Sequence, residues 1–339
     1  MSPAQPAQPA LAPRAQLALP PQAPCLVINP RSFGTSRHGL AERAAQLARD
    51  QGIEVIHAAD SAGIAATMDL LLQRRQQIIF LLAGDGTVQA VADRLASLPA
   101  DVAQPQLLVL GGGRTNLTAA ELGGRGNVLS KLETALRRWR DGAALDIEIR
   151  PVLRIEQPPA PVRHGFFLAA GLVDHAIRAC HRYRDKGSGA LRNGAAGTAW
   201  TLLKLPLPDM LSMHDPQLDD LRVEVPGREP LAKPARLLIV STLQHREGLL
   251  NPYAPQGEGA IRFTAIAARN IAFWARLPWI ATGRFTPAMD AGRGYLSGRC
   301  DALRLQRLSS YTLDGEEFDA DPARPVTIRE GPRLTFLTP

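Results

Sequence analysis

Between residues 25 and 113 the sequence alternates short apolar runs with stretches of helical periodicity, and that alternation leaves few folds open. CLVIN (25–29), IEVIHA (53–58), QIIFLLAG (77–84) and QLLVLGGG (106–113) read as strands. RHGLAERAAQLARDQG (37–52) has the period of an amphipathic helix ending at Gly52. A second helix, capped by Asp60 or Ser61, is predicted through Leu72, and a third from Gly86 to Leu98. Buried strands joined by helices make a parallel sheet covered on both faces. Ligands of such sheets bind beyond the carboxyl ends of the strands, so the loops that follow each strand are where function is expected.

After Asp141 the pattern changes. LDIEIRPVLRIE (145–156), LRVEV (221–225), ARLLIVST (235–242), AIRFTAI (260–266) and CDALRLQRL (300–308) read as strands punctuated by Pro and Gly. They predict a mainly antiparallel half, with helices near 172–184, 191–205 and 268–277. A chain of 339 residues is long for a single core, so two domains are expected. Residues 1–24, mostly Ala, Pro, Gln and Leu, read as a disordered tail, because recurrent prolines break the apolar run a secretory leader needs. No apolar run reaches bilayer-spanning length, so any membrane contact is expected to be peripheral. The net charge of +7 favours an anionic partner: nucleotide, nucleic acid or acidic membrane. Cys25, Cys180 and Cys300 lie far apart without a CxxC, which argues against a disulfide framework or zinc site and suits a reducing cytoplasm.

Three loops carry candidate chemistry. In AGDGTVQAV (83–91), Gly84 and Gly86 allow a tight turn and close backbone approach to phosphate. The following helix aims its first N–H groups at the same point. Asp85 is placed to hold magnesium or position phosphates, and the Thr87 hydroxyl to contact them. LGGGRTNLTAAELG (110–123) also leads from strand to helix, with Gly112 and Gly113 in the turn and Thr115 or Asn116 as the cap. NPRSFG (29–34), led by Asn29 and Pro30, follows the first strand. Each loop alone is also a common turn. Three of them after three parallel strands share one edge of the sheet, and that convergence points to a phosphate site.

These motifs resemble the diacylglycerol kinase catalytic-domain family, which includes bacterial lipid kinases, sphingosine kinases and ceramide kinases. The family's NP-x-S-G loop, GGDGT-[IV]-x-E-V, GTxNDFAR-x-LG and late DGE have counterparts here. They are Asn29-Pro30 with Gly34, AGDGTVQAV, GGRTNLTAAELG (112–123) and Asp314-Gly315-Glu316. Ala83 replaces the first glycine, Gln89 stands at an acidic or amide position, and Leu117 replaces the usual Asp. The resemblance implies an α/β fold: a parallel-sheet nucleotide-binding domain (25–145, completed by about 320–339), then a mainly antiparallel β-sandwich lipid-binding domain (146–319). It implies ATP and Mg2+, and a carboxylate that accepts the proton of the lipid hydroxyl. Glu316 is the candidate base, with Asp314 beside it and Asp85 at the phosphates. The Asp-Gly of that motif also suits a hairpin turn.

The implied activity is an ATP-dependent transfer of the γ-phosphate to a hydroxyl of a diacylglycerol-like lipid, at the inner face of the membrane in the cytoplasm. Ceramide or sphingoid-base kinase, NAD kinase, and a non-catalytic nucleotide- or lipid-binding protein remain as alternatives. No nucleic acid is expected, and a homodimer is left open. Arg178, Arg182, Arg184, Lys186, Arg192 and Lys204 form a basic stretch that either faces an anionic bilayer, at about 1 kcal/mol per cation, or is solvated. Phe273, Trp274 and Trp279 with Arg269 and Arg276 suit either an interfacial segment or a core. His57 follows a strand near the expected nucleotide.

Overall fold

The apolar run Ile78–Ala83 forms a central strand in which no residue is more than 1 % exposed. The computed structural model describes residues 15–17, 22–113, 116–121, 126–185, 220–244, 251–267 and 271–339. The first half comprises β1 (Ala15–Leu17), β2 (Cys25–Ile28), α1 (Leu40–Arg49), β3 (Glu54–His57), α2 (Ser61–Gln73), β4 (Ile78–Ala83), α3 (Asp85–Ala96), β5 (Gln106–Gly111), α4 (Leu117–Glu121) and α5 (Val128–Arg140). Alternation along β4 sends Ile79 and Leu81 into a cluster with Met68 and Leu71 of α2 and Val88 and Val91 of α3. Ile78, Phe80 and Leu82 enter another with the alanines of α1 and Leu132 and Leu136 of α5. The strand is apolar throughout because helices cover both its faces.

β3, β2, β4 and β5 lie side by side and parallel. The chain moves outward from β2 to β3, then returns to place β4 on the other side of β2. The strand order therefore reverses between β2 and β4, where sheets of this class bind ligands.

The second half comprises β6 (Leu145–Glu156), β7 (Arg163–Gly165), β8 (Phe167–Gly171), α6 (Leu172–Asp185), β9 (Arg222–Glu224), β10 (Leu237–Ser241), β11 (Ile261–Ile266), α7 (Ile271–Ala281), β12 (Tyr295–Cys300), β13 (Ala302–Gln306), β14 (Ser310–Leu313), β15 (Glu316–Asp319) and β16 (Val326–Thr338). A six-stranded antiparallel sheet has the order β12-β11-β10-β8-β14-β15. Its Leu168, Val240 and Phe263 pack on Leu153, Leu305 and Ile328 of β6, β13 and β16, closing a sandwich with the antiparallel wing of the larger sheet.

The two halves share strands. β6 and β16 pair along nearly their whole lengths, and β16 also runs parallel to β5. Leu145 and Leu337 belong to the parallel-sheet core, whereas Leu153, Ile155 and Ile328 belong to the sandwich. The ladder shifts register between Glu330 and Arg333, where Pro332 has no N–H to donate. An expected boundary at 145/146 therefore falls within a continuous strand.

The expected tail also contains structure: Ala15–Leu17 pairs antiparallel with Leu145–Ile147. This three-residue stretch lies between Pro13 and Pro20, free of the residue that cannot donate to a ladder. The helix expected at 191–205 lies outside the described residues. Cys25 and Cys300 are buried free thiols, both pushed up to about 12 chiefly by desolvation. No helix among the described residues is long and apolar enough to cross a membrane.

Candidate active site

The loops after β2, β4 and β5 are built onto one another before any ligand is considered. Asn29 Oδ1 accepts from the N–H of Arg31 (2.9 Å), forming a tight turn that includes Pro30. Asn29 Nδ2 donates to Thr87 Oγ1 (2.8 Å), linking this loop to the start of α3. The Thr35 hydroxyl is shared between the carbonyls of Asn29 and Ser32, and Ser32 Oγ accepts from the N–H of Gly84 (3.1 Å). The N–H groups of Gly34 and Thr35 donate to the carbonyl of Gly112 at 2.7 and 3.2 Å.

Glycine is required where these loops meet. A Cβ on Gly113 would lie 2.7 Å from the Cα of Gly84, and one on Gly34 would lie 2.9 Å from the carbonyl oxygen of Gly112. These glycines let one loop touch another. Asn116 adopts a left-handed backbone (φ 47°), which its short polar side chain tolerates. Its Oδ1 accepts from the N–H of Gly113 (2.6 Å). Thr115 lies outside the described residues.

Asp85 opens α3, with Gly84 as the N-cap residue, and its Oδ1 accepts from the N–H of Thr118 at 3.2 Å. The first turn of a helix leaves N–H groups without intrahelical acceptors and carries partial positive charge. Gly86 and Thr87 lie in that turn.

The Asp314-Gly315-Glu316 motif reaches this point from the second half. Asp314 and Gly315 have φ of 49° and 92° and turn the chain between β14 and β15, the conformation expected of an Asp-Gly hairpin. Both Asp314 carboxylate oxygens accept backbone bonds, Oδ2 from Phe166 (2.8 Å) and Oδ1 from Phe167 (2.9 Å). Burial pushes this carboxyl up to about 7, with repulsion from Asp85 adding to the rise and the two N–H donors opposing it. Glu316, two residues on, is exposed. Its carboxylate lies over Gly86, where an added Cβ would come within 3.0 Å of Glu316 Cδ. Two carboxylates, Asp85 and Glu316, thus stand at the positive end of α3.

Two ties from α3 to β7 hold these parts in register. Buried Gln89 on α3 donates through Nε2 to the carbonyl of His164 on β7 (2.9 Å). One helical turn on, Asp93 Oδ1 accepts from the N–H of His164 (2.7 Å). Residues 166 and 167, just beyond β7, are the ones that hold Asp314. The i, i+4 spacing of Gln89 and Asp93 was a legible sign of one polar helix face. His57, exposed at the end of the outermost parallel strand, forms no part of this assembly.

Residues 24–148 match the family model described as the diacylglycerol kinase catalytic domain. No curated protein matches the chain significantly. Three solved structures from Bacillus anthracis str. Sterne are similar. One putative diacylglycerol kinase is 13% identical with a TM-score of 0.62, covering 98% of this chain and 98% of that one. A second is 14% identical with a TM-score of 0.59, covering 94% and 97%. A protein described as a diacylglycerol kinase is 12% identical with a TM-score of 0.58, covering 94% and 97%. At this identity the likeness is one of fold, and it extends through both halves.

Proposed function

We propose, from the match of residues 24–148 to the diacylglycerol kinase catalytic domain model, that the chain is an ATP-dependent lipid kinase whose acceptor is a diacylglycerol-like hydroxyl. The observation that carries the reading is the Glu316 carboxylate over Gly86, beside Asp85 at the start of α3. Phosphoryl transfer to an alcohol needs an anion cradle for the phosphates and a base for the hydroxyl proton. In this reading the start of α3 supplies the first and Glu316, from the second half of the chain, the second.

ATP supplies the γ-phosphoryl group, and a magnesium ion, where bound, would supply charge neutralisation for it. Such an ion would be held through one or two protein carboxylates, and Asp85 would be one. The start of α3 and the Thr87 hydroxyl orient the phosphates. Glu316 accepts the hydroxyl proton as the acceptor oxygen bonds to the γ-phosphorus and the bridge to the β-phosphate breaks. Asp314, with both oxygens engaged by backbone N–H groups, holds the turn and leaves proton transfer to Glu316. The lipid half of the site is assigned to the sandwich, with contact at the membrane surface.

The test is transfer of labelled phosphate from ATP to diacylglycerol, ceramide, a sphingoid base, phosphatidylglycerol or NAD. Label in diacylglycerol is expected; label in NAD alone, or in nothing, would overturn the proposal.

A further inference from the structure

β15 carries Glu316, yet it has only four residues and, among the described residues, lies at the edge of its sheet and pairs with β14 alone. Short edge strands have few ladder bonds to hold them. At the tip, Asp314 anchors the hairpin to Phe166 and Phe167. Its far end is bridged from α6 by the Arg178 guanidinium. Arg178 Nη2 donates to the carbonyl of Phe318 on β15 (2.7 Å) and reaches that of Tyr311 on β14 (3.4 Å). Phe318 and Tyr311 are cross-strand partners, so the guanidinium bridges the two strands at one rung. Nη1 lies 3.4 Å from Asp319 and 3.6 Å from Glu317.

The guanidinium is itself aimed. Its Nε lies 3.1 and 3.0 Å from the two oxygens of Asp174, one helical turn earlier and fully buried. Asp174 also accepts from the hydroxyls of Ser310 (2.7 Å) and Thr312 on β14. His181, a further turn along, places Nδ1 2.7 Å from Glu317. Asp174, Arg178 and His181 therefore share one helix face laid on the hairpin. In the sequence Arg178 reads as one cation of a basic stretch that either faces a bilayer or is solvated; in the structure its side chain is 17% exposed and turned inward.

We propose that Arg178 is a positioning residue for Glu316: it fixes the register of β15 and so keeps the carboxylate over Gly86. This rests on Glu316 being the proton acceptor. Asp314 holds the tip in either case, so loosening the far end displaces Glu316 without unfolding the hairpin.

The test is Arg178→Lys, which keeps a cation for Asp174 but lacks the planar fork that bridges two carbonyls. Turnover is expected to fall roughly tenfold or more, since displacements near 1 Å at a reacting group have costs up to about a hundredfold. The KM for ATP and the melting temperature are expected to stay near wild type. In a Glu316→Gln background the same change is expected to produce no further loss. Wild-type turnover in Arg178→Lys, or an equal loss in both backgrounds, overturns the proposal. Full turnover in Glu316→Gln alone instead removes the base reading, and this inference with it. Should Arg178→Lys fail to fold, Glu317→Gln, which weakens the α6 contacts from the strand side, is expected to lower turnover with the same dependence on Glu316.

Discussion

Replacing Gly86 by alanine should separate activity from stability. Gly86 is the second residue of α3 and its backbone is helical, so alanine fits the chain and favours the helix by roughly 0.8–1 kcal/mol. Its methyl, however, would stand within 3.0 Å of Glu316 Cδ and nearer still to Oε1. The carboxylate is the far end of a flexible, exposed side chain, so it swings aside at little cost to folding. A displacement of about 1 Å or more takes the base out of reach of the acceptor hydroxyl, with an expected loss on the order of a hundredfold in kcat. Turnover is followed with labelled ATP and dispersed diacylglycerol, and stability by urea unfolding. The double variant Gly86→Ala/Glu316→Gln should be little slower than Glu316→Gln alone, because both changes remove the same group. Turnover within a few-fold of wild type in Gly86→Ala, or losses that multiply in the double variant, would refute the placement of Glu316.

Two further outcomes follow from the carboxylates. Asp85→Asn keeps an oxygen to accept from Thr118 but loses the charge at the phosphates, so kcat at saturating magnesium should drop at least about a hundredfold with an unchanged circular dichroism melt. Asp314 ionises near 3.8 when unfolded and at about 7 when folded, so unfolding releases a proton between those values. Its contribution to stability is therefore greatest at the acidic end and declines from about pH 4 to about pH 7, by at most about 1.4 kcal/mol per pH unit. Asp314→Asn should flatten that part of the difference curve in urea unfolding, and an unchanged slope would rule out a proton held by this carboxyl.

Much of the parallel-sheet half was legible because its signals are local. Six consecutive apolar residues before Gly84 can only be a strand buried on both faces, and the glycine loops announce themselves. Asp-Gly at 314–315 likewise predicts its hairpin. What local patterns do not carry is partnership between distant segments. β6 and β16 read as strands of one half and of the C-terminal closure, yet their pairing threads both cores. The strand at 15–17 forms because β6 offers an unpaired edge, which no feature of an Ala- and Pro-rich segment reveals. Arg178 shows the same limit. Its neighbours in sequence are basic, but Asp174 and the Phe318 carbonyl decide where it points. Helix α5 has no counterpart among the sequence expectations, although Asn127 caps it through the N–H groups of Leu129 and Ser130. That cap was a readable signal.

In the proposed reaction a carboxylate delivered by the late hairpin accepts the proton at the phosphate site of the parallel sheet. Glu316→Gln tests it most directly, because the substitution keeps size and hydrogen bonding while removing the base. Transfer of labelled phosphate from ATP to diacylglycerol is measured beside nucleotide affinity for the same preparation. The account predicts turnover lower by about a hundredfold or more, with affinity for ATP and the melting temperature near wild type. Turnover within a few-fold of wild type would contradict it and leave Glu316 as a residue of the hairpin alone.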